Sequence, residues 1–318
     1  MGLAIGVDVG GTKVAGGVVD EDGTIVLRTR RPTPSTSPPD VEKTIASVVA
    51  ELRDGLPVGQ EVVAVGIGAA GFIDSGRSTV LFAPNLAWRD EPLRDEVAAL
   101  VGLPVVVEND ANAAAWGEHR FGAGRGEPDL LCVTVGTGIG GGLVIDGALY
   151  RGRYGIGAEF GHMQVVPDGR RCGCGQRGCW EQYCSGRALL HEAREIADVQ
   201  KDFGRRLLEL GGGRPEGIEA PEVTTAAREG DPAALACFDV VGRWLGQGLA
   251  DLAALLDPGL FVISGGVSDA GELLLGPARA VFAERLTGGT HRPHASIRLA
   301  ELGNEAGMVG AADLARRV

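Results

Sequence analysis

Apolar residues along this chain fall in short, β-branched runs separated by glycine and aspartate, the punctuation of strands and tight turns. Leu3–Val9 reads as a buried strand, Val14–Val19 as its neighbour and Thr24–Thr29 as a third, with Asp20-Glu21-Asp22-Gly23 turning between the last two. The chain therefore opens on a meander. Pro32–Pro39 is a Pro/Ser/Thr connector, and Asp40 is placed to N-cap a helix running to about Leu52. Val62–Ile67 is a further strand ending in Gly68-Ala69-Ala70-Gly71. Pro92–Val101 has a helical pattern, and Pro104–Val107 is a short strand running into Glu108-Asn109-Asp110.

The next block repeats the opening. Leu130–Val135 is a strand, Gly136–Gly142 a glycine turn and Leu143–Ile145 a returning strand. Set beside Ile5–Lys13, the stretch Val133–Gly138 gives a second strand–Gly/Thr turn–strand unit, which suggests an internal duplication. Farther on, Asp231-Pro232 supplies an N-cap and a first-turn proline for a helix reaching Leu256. Gly259–Ile263 is a strand followed directly by Ser264-Gly265-Gly266.

A length of 318 residues favours two domains over one core, and the 44% hydrophobic content is that of an ordinary globular chain. The net charge of −12 argues against a general nucleic-acid or anionic-membrane surface. Nucleotide binding stays open, because backbone N–H groups and Mg²⁺ handle phosphates locally. No run is long enough to span a membrane, and no basic segment precedes the first strand, so a soluble cytoplasmic protein is expected.

Chemistry concentrates at a few places. Gly10, Gly11, Thr12 and Lys13 form a turn whose backbone N–H groups can converge on phosphate oxygens, with Asp8 placed to hold Mg²⁺ through water. A tight hairpin without a ligand explains that turn equally well by itself. Thr137-Gly138 and Gly265-Gly266 tip the balance, since three strand-terminal glycine turns suit a gripped polyphosphate. Asp110 has two readings: a base that takes a proton from a substrate hydroxyl, or the N-cap of a helix starting near Ala111. Position alone favours the cap.

His162, Cys172, Cys174 and Cys179 are the donor set of a structural zinc, closed by four protein ligands. Cys132, Cys184 and Cys237 lack such company and read as small core residues. Glu159 and Glu181 bracket the cluster and read as acceptors for sugar hydroxyls held by a metal-fixed loop, in preference to solvated surface charges.

Asp8–Lys13, Glu108–Asp110, Gly136–Gly140, Glu159-Phe160-Gly161-His162, the Cys172–Glu181 motif and Ser264–Gly266 together resemble the ROK family of sugar kinases and sugar-responsive repressors. The resemblance spans nearly the whole chain in the expected order. It implies the actin-like ATPase (ribonuclease H-like) fold, α/β in class, with two domains flanking a cleft. These are expected at 1–108 plus 303–318 and at 109–302. The resemblance also makes Asp110 the base that activates the 6-hydroxyl of glucose for attack on ATP. Gly71, Asn85, Asn109, Glu159, His162 and Glu181 become sugar contacts, and Asp8 becomes the Mg²⁺-linked aspartate. It implies a dimer or tetramer of identical chains. With Asp8 so near the first residue, no DNA-binding segment is expected ahead of it, which favours a kinase over a repressor. Kinases for mannose, fructose, N-acetylglucosamine or N-acetylmannosamine are the nearest alternatives. A non-catalytic sugar sensor and an actin- or chaperone-type ATPase are more distant ones.

Overall fold

The computed structural model describes residues 2–34, 37–84 and 86–317. The chain divides into two compact units, one of residues 1–132, 141–158 and 300–318, the other of 133–140 and 159–299.

The meander is present as β1 (Leu3–Val9), β2 (Lys13–Val19) and β3 (Ile25–Pro32), antiparallel throughout. Helix α1 (Pro38–Asp54) is N-capped by Ser37, not by Asp40. Pro38 and Pro39 fit the first turn, where no amide donor is needed, and Asp40 instead accepts from the Ser37 hydroxyl at 2.6 Å. Next come β4 (Val62–Ala69), a small hairpin layer of β5 (Phe72–Ile73), β6 (Val80–Phe82) and β7 (Arg89–Glu91), helix α2 (Leu93–Val101), β8 (Val105–Asn109) and helix α3 (Asp110–Phe121). The sequence pattern does not announce this hairpin layer, because strands of two or three residues carry no period. The first sheet runs β3-β2-β1-β4-β8, with β1, β4 and β8 parallel. Ile5, Val7, Val65, Ile67 and Val107 on one face join Ile45, Val48 and Leu52 of α1 and Leu93 and Val97 of α2 in one core.

The second sheet contains β9 (Leu130–Val135), β10 (Ile139–Ile145) and β11 (Ala148–Tyr150), then, after α4 (Gly186–Val199), α5 (Arg205–Leu210), α6 (Ala220–Arg228) and α7 (Pro232–Leu256), the strand β12 (Leu260–Ser264). Helix α8 (Glu272–Arg285) leads on to β13 (Ser296–Leu299), which completes it. Strand β10 begins at Ile139, so the glycine turn is only Gly136–Gly138, and Gly140, Gly141 and Gly142 belong to the strand. Asp231 caps α7 as expected, accepting from Ala234 N at 2.8 Å. The order β11-β10-β9-β12-β13 repeats that of the first sheet: a three-strand meander, then two strands added beyond its first member. The duplication read from the glycine turns is thus a duplication of topology.

Helix α9 (Ala306–Ala315) is buried nearly all round. Its backbone lies so close to β1 and β4 that a Cβ on Gly6 would collide with the Met308 carbonyl and one on Gly66 with the Ala311 carbonyl. The segment leading into α9 is fastened to α3 by Glu118, a fully buried carboxylate that accepts from the main-chain N–H of Ala123, Glu301 and Leu302 at 2.8–3.0 Å. Among the described residues no helix is long and apolar enough to cross a membrane.

Candidate functional site

In the first unit, the parallel register aligns Asp8 with Gly68 and Gly68 with Glu108, and likewise Val9 with Ala69 and Ala69 with Asn109. The carboxyl ends of β1, β4 and β8 therefore finish level, where open α/β sheets carry their ligand loops. After β1, the turn is closed by Gly10 N donating to Lys13 O at 3.0 Å. It is tied to the end of β3 by Thr33, whose N–H donates to Thr12 O at 3.0 Å and whose hydroxyl donates to Gly10 O at 2.6 Å. Gly11, Thr12 and Lys13 face solvent. Burial raises the pKa of Asp8, and the Lys13 charge opposes the rise.

After β8, the cap reading of Asp110 is corrected. Asn109 caps α3, accepting from Asn112 N at 3.0 Å through Oδ1, and Asp110 is the first helical residue. Its Oδ1 accepts from Ala111 N at 2.9 Å. Asn109 Nδ2 donates to Gly71 O at 3.1 Å, so two of the expected sugar-side positions are directly joined. Gly68 leaves space beneath this turn: a Cβ there would stand 3.8 Å from Asp110 Cα. Gly307 lies between the two aspartates, its would-be Cβ 3.8 Å from Asp110 O and 4.0 Å from Asp8 Oδ1. Asn85, also expected on the sugar side, lies outside the described residues.

In the second unit, Glu159 and Glu181 sit at two short 3₁₀ turns, Phe160–His162 and Trp180–Gln182. Trp180 pins the second turn: it is fully buried and its Nε1 donates to Trp244 O at 2.8 Å. A ring nitrogen of His162 and the Sγ atoms of Cys172, Cys174 and Cys179 gather within 4.8 Å of one another. The His162–Cys172 separation is 3.7 Å and the Cys174–Cys179 separation 3.6 Å. A tetrahedral ion with bonds of about 2.3 Å to sulfur places its ligands about 3.8 Å apart, so the donor set fits a zinc-type metal in number, type and spacing. Cys132, Cys184 and Cys237 are buried away from this cluster, as expected of core residues.

Glu181 Oε1 accepts from Gln182 Nε2 at 3.2 Å and from the Cys172 thiol at 3.0 Å. Glu159 is exposed as a residue, yet packing around its carboxyl raises its pKa; His162 opposes this and the Glu181 carboxylate adds to it. The unit also joins the two later glycine turns. Gly265, at φ +87°, presses on the Val135 backbone, and Val267 N donates to Val135 O at 3.0 Å. Thr134 and Ser264 hydroxyls meet at 2.9 Å just before the turns. Thr137-Gly138 and Gly265-Gly266 thus form one glycine-rich surface, and Glu181 Oε2 lies directly against Gly138.

The motif Glu108-Asn109-Asp110 contains a residue to which sequence reasoning gave no role. Glu108 is buried, and its partners Arg77 and Arg151 come from loops 31 and 43 positions away. Neither loop has a pattern that announces such a pairing.

The ROK family profile matches residues 4–318. The chain belongs to the ROK family. It is 55% identical to the glucokinase of Streptomyces coelicolor over 316 residues, covering 99% of this chain and 98% of that one. It is 41% identical to the glucokinase of Thermotoga maritima, covering 98% and 96%. Its fold is similar to the crystal structure of a ROK family glucokinase from Streptomyces griseus in complex with glucose and AMPPNP, with a TM-score of 0.89, 56% identity and full coverage of both chains. The doubled five-stranded sheet of this ROK protein is the actin-like ATPase fold that the motifs implied.

Proposed function

We propose that this chain transfers the γ-phosphoryl group of ATP to the 6-hydroxyl of glucose. The observation that carries the reading is the 56% identity, over the full length of both chains, to a ROK glucokinase crystallised with glucose and AMPPNP. Asp110 is the general base. Its carboxylate takes the 6-hydroxyl proton as the new O–P bond forms and the bond to the β–γ bridging oxygen breaks, releasing ADP. Gly71, Asn85, Asn109, Glu159, His162 and Glu181 hold the sugar. Gly10, Gly11, Thr12, Lys13, Thr137, Gly138, Gly265 and Gly266 hold the nucleotide, mainly through backbone N–H groups that need no reorganisation when charge develops.

Asp8 would hold Mg²⁺ with the phosphates, and His162, Cys172, Cys174 and Cys179 would hold zinc. When bound, the first offsets phosphate charge and the second cross-links the loop that carries Glu159 and Glu181. The functional lobes are 1–108 plus 303–318 and 109–302. The protein is cytoplasmic, where free thiols stay reduced, and assembles as a dimer or tetramer of identical chains.

The test is transfer from Mg-ATP to a panel of glucose, mannose, fructose, N-acetylglucosamine and N-acetylmannosamine. Turnover dominated by glucose supports the proposal. Preference for an acetamido sugar would keep the chemistry and move the substrate, and sugar binding without transfer would replace the kinase by a sensor.

A further inference from the structure

Glu108 immediately precedes the Asn109-Asp110 pair, and its side chain is only 3% exposed. Oε2 accepts a hydrogen bond from Arg151 Nε at 2.7 Å and is ion-paired, without a hydrogen bond, to Arg77 Nε at 3.4 Å. Oε1 accepts from the main-chain N–H of Asn109 and from Asn112 Nδ2, both at 3.2 Å. Asn109 and Asn112 are also the two ends of the α3 cap bond. One carboxylate thus grips both ends of the turn that contains Asp110.

Both arginines are themselves mostly withdrawn from water, 20% and 24% exposed. Arg77 holds a φ of +55°, a conformation that is costly for a residue with a side chain. Its carbonyl accepts from Val107 N at 3.1 Å, so the β5–β6 loop is fastened to β8 by main chain as well as by charge. Burial lowers the Arg77 pKa, Glu108 opposes that, and the second guanidinium reinforces it.

This is far more than a helix start requires. Helices α4 and α7 begin on a single capping side chain, Ser185 and Asp231. At α3 the cap is supplemented by a buried carboxylate and two partly buried cations, one of them (Arg77) on a left-handed loop residue, all converging on one turn. Such shells hold a reacting group in one geometry and are common behind residues whose placement matters to a fraction of an ångström.

We infer that Glu108 is a positioning residue for phosphoryl transfer, which with Arg77 and Arg151 locks the Asn109–Asn112 turn and so fixes the Asp110 carboxylate. The inference rests on the reading of Asp110 as the base. The test compares Glu108→Gln, Arg151→Met, Arg151→Lys, Asp110→Asn and the double variant Asp110→Asn/Glu108→Gln, with Mg-ATP and glucose, each rate expressed per folded molecule. Glutamine keeps an oxygen for the Asn109 and Asn112 donors and removes the charge.

The expected result is a loss in kcat of about 10–100-fold for Glu108→Gln and Arg151→Met, with KM for ATP within about threefold of the parent and a rise in KM for glucose smaller than the loss in kcat, since Asn109 shares the turn. Arg151→Lys recovers part of that loss, and the double variant is no slower than Asp110→Asn alone. A purely structural role would lower the folded fraction and leave kcat per folded molecule unchanged, which overturns the inference. So does a double variant slowed by the full Glu108→Gln factor, because Glu108 would then act on something other than Asp110. Near-parent turnover in Asp110→Asn defeats the base assignment instead, whatever Glu108→Gln does. Should Glu108→Gln not fold, the Arg151 pair decides by the same criteria.

Discussion

The Glu181 carboxylate rests against the backbone of Gly138: a side chain at position 138 would collide with Glu181 Oε2. The proposed nucleotide turn therefore limits where a proposed sugar carboxylate can lie, and the other oxygen of that carboxylate accepts from Gln182 Nε2 at 3.2 Å. Gly138→Ala meets only the far end of a flexible side chain, so the fold should survive, with Tm within about 2 °C of the parent. Glu181 should move aside and KM for glucose rise about tenfold. Gly265→Ala should behave differently, losing stability, because its obstacle is the Val135 backbone and its φ is +87°. Steady-state kinetics and thermal melts of the two variants separate these outcomes.

Asp110→Asn keeps the size of the side chain and an oxygen for Ala111 N, so α3 should start where it does now. Removing the proton acceptor should lower kcat by about 10³-fold, within the usual range for a general base. Glucose affinity, read by tryptophan fluorescence, should change less than about threefold if the base acts only in the transition state. A variant turning over at more than a tenth of the parent rate would count against the base.

Metal content should be one zinc per chain, measured by atomic emission. Cys172→Ser should lose it, since a hydroxyl is a poor substitute for a thiolate. Because the Cys172 and Cys179 ligands lie in the same loop as Glu181, glucose binding should weaken at least tenfold on metal loss. Nucleotide affinity should change less. Unaltered glucose binding in the zinc-free protein would separate the metal from the sugar site.

Glu42 gives a pH dependence of stability. It is buried on α1, its pKa is pushed up to about 7 by burial and by the neighbouring Glu91 and Glu96 carboxylates, and Lys43 opposes the shift. A raised carboxyl pKa means that the folded state retains a proton which the unfolded state has released above its ordinary 4.5. Stability then falls as pH rises from about 4.5 to about 7 and stays lowered above that. Glu42→Gln should melt like the parent at pH 4.5 and about 2–4 °C higher at pH 8, a gain of about 1–2 kcal/mol. Equal melting at pH 8 would contradict this.

Gly6→Ala is predicted to be among the most damaging single-methyl additions in the chain. Its obstacle is the Met308 carbonyl, a backbone atom of a helix that is itself buried, so neither side can yield cheaply. A loss of about 3 kcal/mol or more is expected, the upper range for overpacking. Denaturant titration measures it, and a loss below about 1 kcal/mol would mean that α9 can shift.

Local chemistry explains what was readable beforehand. The four metal donors lie within 18 positions of one another, so their spacing is set almost entirely by the loop that holds them. The start of helix α7 is legible because Asp231 and Pro232 are signals that act on their own neighbours. Strand β9 lies where its run of Leu, Cys and Val places it, broken only by Thr134, the one position not fully buried. The repeated glycine turns pointed to the doubled sheet, since each turn follows the first strand of its meander.

What the sequence determined by itself, then, were features whose cause is contained in a dozen or so adjacent residues: strand runs, capped helices, glycine turns and the metal loop. Only the tertiary structure decided which carboxylates stay exposed and which are neutralised. Glu108 and Asp110 are near neighbours of the same chemical type, yet one is gripped by Arg77 and Arg151 while the other heads a helix. It also decided that Asn109 and not Asp110 is the cap, because the Asn109 side chain must reach both Asn112 N and Gly71 O. Those outcomes depend on segments dozens of residues apart meeting at one point, and a one-dimensional pattern carries no information on which distant charges will be brought together.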